Sequence, residues 1–188
     1  MTTPIFKNLV FYVGNSIYLY FPVILFWQFV FWDGDPDGGR YVLSFRIFSV
    51  VALIHLVVLV NYRKPFDRFA LATDIWLIVC GVLSWLALWE FLRFFGDHLR
   101  VTGYWIIVFL VGIISTYMIN GGLIGTRSAS KEHVRALSLK ILLLIGIILV
   151  ISYGFRDETL WAAVLPTIFL SVLSRKYCRN ANEENIVI

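Results

Sequence analysis

The chain has 188 residues, 60% of them hydrophobic, and a mean hydropathy of +0.81. So few polar residues cannot cover the core of a water-soluble domain, so the composition excludes that class and leaves an integral membrane protein. The net charge of +4 is spread over several short segments, which argues against nucleic acid as a partner and for anionic lipid headgroups.

Six apolar stretches follow one another, at roughly 8–32, 41–60, 69–89, 103–121, 137–155 and 159–174. A spanning helix needs about 20 mainly apolar residues, because the hydrocarbon is ~30 Å thick and a helix rises ~1.5 Å per residue. The expected fold is therefore all-α: a polytopic transmembrane bundle of six spanning helices forming one membrane domain over residues 1–188. Barrel strands are excluded by runs such as 141–150, which are apolar on every side and satisfy their backbone in lipid only as helix. The first stretch exceeds the core of a signal peptide and is followed by no small-x-small site, so it reads as a retained span.

Pro22 in the first stretch and Pro166 in the sixth each remove a backbone donor, and a kink is expected at both. The first gap reads Asp33-Gly-Asp35-Pro-Asp37-Gly and matches the opening of a calcium loop. Ser44 stands where the closing Glu should be, so the three aspartates are a weak metal candidate and an acidic turn is the better reading.

Intramembrane ionisable residues are the main functional leads. The second stretch carries Arg46 and His55, and the third carries Asp74. His55 and Asp74 each lie about nine residues from the loop centre near Lys64 and Pro65, so an antiparallel hairpin brings them to one depth. The pair reads as a proton-handling or cation-binding site, or as a polar clasp between neighbouring helices. Reflection through the loops puts Arg46 level with Gln28 and Ser84, a candidate polar cluster; alternatively Arg46 snorkels to headgroups or to Glu90. Nine residues at 100° each place Arg46 and His55 on opposite helix faces.

Gly112, Thr116 and Asn120 form one stripe on the fourth stretch, and Ala163, Thr167 and Ser171 another on the sixth. Both read as internal packing surfaces, with Gly81 expected near the depth of Gly112. Gly121 and Gly125 have GxxxG spacing but lie at the membrane edge, a poor dimer signal. Cys80 and Cys178 differ in depth by half a membrane, so no disulfide is expected.

Lys7, Arg63, Lys64, Arg68, Arg127, Lys131, Arg135, Lys140, Arg175, Lys176 and Arg179 lie on one side, and Arg40, Arg46, Arg93, Arg100 and Arg156 on the other. The positive-inside rule makes the first side cytoplasmic, with both termini there, in a cell inner or plasma membrane. Trp27, Trp32, Trp89, Trp105 and Trp161 then mark an outer aromatic belt.

No hydrolase, metalloprotease or phosphate-loop motif is present, and the one intramembrane His cannot supply two haem ligands. No catalytic set stands out beyond His55 and Asp74, so the reading leans away from an enzyme without closing the question, and no cofactor is expected. The leading expectation is a small-solute or ion permease or channel, with Arg46, His55, Asp74, Gln28 and Asn120 as candidate binding or proton-handling residues. The alternatives are an accessory or scaffold subunit with a membrane-protein partner, or, further off, a lipid-modifying enzyme. A homo-oligomer is compatible with either of the first two.

Overall fold

The computed structural model describes residues 18–34, 37–61, 68–119, 121–125, 130–155, 158 and 160–183, without the side chains of 160 and 179–183. Among these residues the chain is helical, with no strand. The helices are α1 (Phe21–Val30), α2 (Gly38–Asn61), α3 (Arg68–Trp85), α4 (Trp89–Arg93), α5 (Val101–Met118), α6 (Lys131–Gly154) and α7 (Leu165–Glu183). Four of them, α2, α3, α5 and α6, are long and apolar enough to cross a membrane. Residues 8–17 of the first stretch lie outside the described residues; its remainder and the sixth stretch take other forms. α1 begins just after a break at Tyr20, with Pro22 in its first turn. α7 follows a π-helical turn, Leu160–Val164, and its second half is polar.

Local chemistry explains the departures from the apolar stretches. α3 stops at Trp85, four residues early, because Ala87 takes a left-handed backbone (φ 53°). The gap beyond it is itself helical: α4 runs into a π-helical turn, Phe94–Leu99, which ends at Arg100 (φ 44°). α6 starts six residues early because Ser130 caps it, accepting a hydrogen bond from the His133 amide at 3.3 Å. This polar first turn is invisible to hydropathy. Asp37 opens α2 in the same way, its Oδ1 accepting from the Arg40 amide at 2.7 Å.

Of three apolar clusters among the described residues, one is the small group Leu19, Leu59 and Ala70 and two are extensive. One joins α1, α2 and α3 through Phe26, Val30, Phe48, Ala52 and Leu77. The other joins α3, α5, α6 and α7 around Trp105, Val108, Ile141, Ile145 and Leu170. Trp76 touches both. α2 and α3 approach closely at Gly81, where a Cβ would strike the Ser49 side chain and lie 2.8 Å from the Phe45 carbonyl. Gly81 thus packs on α2, while Gly112 packs on Leu142 of α6, and the two glycines serve different contacts.

The segment from Gly121 to Gly125 folds back into the second cluster. Leu123 and Ile124 are buried, and the Leu123 amide donates to Ser138 Oγ at 3.0 Å. Gly122 (φ +56°) has no room for a side chain against Ser138 and Val134. The GxxxG spacing therefore serves packing within the chain.

Trp105 departs from the interfacial belt. It is fully buried, and its indole N–H donates to the Ala162 carbonyl at 2.6 Å. In an α-helix that carbonyl would accept from residue 166, which is proline and has no N–H. The π-helical turn and the indole together accommodate the group that Pro166 leaves without its α-helical donor.

Candidate functional site

His55 and Asp74 meet in the α2–α3 hairpin, with His55 Nδ1 2.7 Å from Asp74 Oδ2 and both side chains buried. Tyr18 places its ring edgewise to the imidazole, with centroids 5.5 Å apart. His55 Nε2 and Asp74 Oδ1 are buried and make no hydrogen bond among the described residues. A buried carboxylate beside an imidazole can hold a proton between them, and two further polar atoms remain to receive one.

Arg46 forms a second centre. Its Nε donates to Ser84 Oγ at 3.1 Å and its Nη2 to the Ser84 carbonyl at 2.9 Å. That carbonyl belongs to the last turn of α3, where backbone acceptors lack helical partners and a cation is favoured by the helix dipole. The guanidinium also lies over Trp85 and Trp89, 5.4 and 5.9 Å from their centroids. No ion pair joins it to Glu90 among the described residues.

Arg46 and His55 both reach α3, contrary to the opposite faces expected from their spacing. Gly81 of α3 packs against Phe45 and Ser49 of α2, so Arg46 and His55 flank one side of α2 and both side chains reach α3. Of the remaining candidates, Gln28 is exposed and forms no hydrogen bond with Arg46. Asn120 and Asp35 lie outside the described residues. Asp37 is occupied as the α2 cap and Asp33 sits in an exposed turn. Among the described residues no group of three His, Cys, Asp or Glu could hold a metal.

A cleft of about 1910 Å³ is lined by residues of α1, α2, α3, α5 and α7. It runs from Arg93, Asp97 and Arg100 at one end to Arg175 and Lys176 at the other. Comparison of the chain with protein-family models, curated proteins and solved structures finds no match in any of the three. The cleft is therefore understood from its own walls.

One wall is a chain of ring contacts. Phe26 to Phe45, Phe45 to Trp76 and Trp76 to Tyr104 have centroid separations of 4.8, 5.5 and 6.0 Å. Hydroxyls interrupt it: Tyr104 lies 3.4 Å from both Thr73 and Thr167, and Tyr20 bonds Ser171 at 2.6 Å. Ala163, Thr167 and Ser171 thus line the cleft. Their small side chains leave space there, where the sequence pattern pointed to tight helix packing. Thr73 precedes Asp74 in α3, so the cleft wall and the buried pair are adjacent in one helical turn.

Sequence reasoning missed Tyr20, Thr73, Trp76 and Tyr104. Tyr and Trp in an apolar run look like interface or core residues, and only the tertiary arrangement aligns them. The usable signal was the break at Pro22 and Pro166, since two interrupted helices flank the cleft.

Proposed function

We propose that this chain is a six-span transporter of a cell inner or plasma membrane, with both termini cytoplasmic and the cleft as its substrate path. The observation that carries this reading is the cleft's reach from Arg93 and Arg100 at one end of the bundle to Arg175 and Lys176 at the other. A helix bundle packed only for support would close on itself, as α2 and α3 do at Gly81. The volume favours a substrate larger than an ion, because pockets for drug-sized ligands span roughly 300–1,000 Å³. The basic Lys176 end is assigned to the cytoplasm, where anionic headgroups are the natural partners of its charges. His55 and Asp74 are the proton-handling pair in this scheme, placed to couple protonation to the adjoining wall at Thr73.

An accessory or scaffold role is the second reading. It is favoured by Arg46, whose donors are engaged by the end of α3 in a purely structural way. Either role is compatible with a homo-oligomer or a membrane-protein partner. Reconstituted vesicles separate the two. The transport reading expects flux of at least one species in a panel of ions, organic solutes and fluorescent lipid analogues, lost in Asp74→Asn. No flux from folded protein across that panel would favour the scaffold.

A further inference from the structure

The cleft opens sideways as well as at its ends. Ile24 of α1 and Ile168 and Val172 of α7 line it, yet are 43%, 56% and 63% exposed. α1 packs chiefly on α2 and α3, while α7 packs on α6. The hydrogen bond from Tyr20 to Ser171 links the two sides of this mouth. In a bilayer a mouth rimmed by bare apolar side chains faces acyl chains, so the molecules with direct access to it are lipids.

The interior sorts them further. The aromatic wall of Phe26, Phe45, Trp76 and Tyr104 suits acyl chains, and the nearby hydroxyls of Tyr20, Thr167 and Ser171 suit ester carbonyls. One end of the cleft is lined by Arg175 and the exposed Lys176, and the other by Arg93, Arg100 and the carboxylate of Asp97. The carboxylate at the far end disfavours an anion there, so an anionic headgroup is favoured at the Lys176 end. The volume exceeds that needed for a single-ring solute.

We propose that the cleft binds one anionic diacyl phospholipid, admitted sideways between α1 and α7. Its headgroup sits at Arg175 and Lys176 and its tails lie against the aromatic wall. This rests on reading the cleft as a substrate path, but binding is measured separately from transport.

The test uses the full chain in phosphatidylcholine nanodiscs containing phosphatidylglycerol with a photoactivatable tail. Crosslinks are expected on Phe45, Trp76 and Tyr104, in addition to outward residues such as Val50 and Leu143. Unlabelled phosphatidylglycerol should compete at the inward positions and phosphatidylcholine should not. Lys176→Gln, a change at an exposed site, should weaken inward labelling about fivefold, the effect of one charge near the surface. Ala163→Trp, which places an indole in the cleft beside Thr167, should lower inward labelling and leave outward labelling intact. Crosslinks confined to outward residues, or inward labelling indifferent to headgroup and to Lys176→Gln, would overturn the proposal. Inward labelling without flux of any species in the vesicle panel would refute the transport reading alone. Translocation without inward labelling would refute lipid binding in the cleft alone.

Discussion

Trp105→Phe is expected to destabilise the bundle by about 2–4 kcal/mol, and Pro166→Ala is expected to relieve part of that loss. The indole is fully buried and donates to the Ala162 carbonyl at 2.6 Å. Phenylalanine keeps much of the apolar body, so the removed ring atoms account for ~1–2 kcal/mol through the void they leave. The abandoned carbonyl adds ~1–3 kcal/mol, toward the lower end because intramembrane hydrogen bonds average ~0.6 and reach ~1.7 kcal/mol. Alanine at 166 restores an amide N–H four residues beyond Ala162, where an α-helix would use it. Trp105→Phe should then do less harm, by about 1 kcal/mol, in the Pro166→Ala background than alone. Reversible unfolding of all four proteins in mixed micelles, followed by circular dichroism, measures the coupling. Additivity within ~0.3–0.5 kcal/mol would refute the claim that the indole takes the place of the missing proline amide.

The buried pair makes an asymmetric prediction. Asp74→Asn or His55→Gln alone should lower stability by up to ~3–5 kcal/mol, whereas His55→Phe with Asp74→Leu should recover most of it, because only single changes leave a buried polar partner stranded. If the pair handles protons, the double variant will fold and still fail to transport in the vesicle assay. Gly81→Ala should cost about 1–3 kcal/mol in the same unfolding measurement by pushing α2 off α3, with Ser49→Gly restoring part of the loss. Tyr20→Phe and Ser171→Ala should each speed lipid exchange into the cleft in time-resolved crosslinking. Their combination should do no more than either alone, since both remove one hydrogen bond.

Much of the fold was legible because the bilayer imposes simple rules. Apolar length marks α2, α3, α5 and α6, and equal distances from a short loop were enough to bring His55 to Asp74. Ser84 was reached from Arg46 by the same argument. What failed were features decided by single backbone angles or by how two helices pack. Ala87 ends α3 by a left-handed turn that no pattern announces, and the helical segment after Trp89 was hidden in an apparent gap. Arg46 and His55 flank the side of α2 that packs on α3, so their opposite angles do not send them to different helices. The stripe of Ala163, Thr167 and Ser171 reads identically whether a neighbouring helix or an open cleft lies against it. Trp105 illustrates the same limit: its position near a span end fits a belt, and only the loss of a donor at Pro166 explains why it turns inward.

The most direct test of the substrate path compares the wild-type chain with Ala163→Trp in the same vesicles, each containing a fluorescent phosphatidylglycerol analogue quenched from outside. The wild type should render the inner-leaflet analogue accessible to quencher, and Ala163→Trp, which narrows the path, should slow that while unfolding at a comparable denaturant concentration. Equal translocation by the two proteins would contradict the assignment of the cleft as the path.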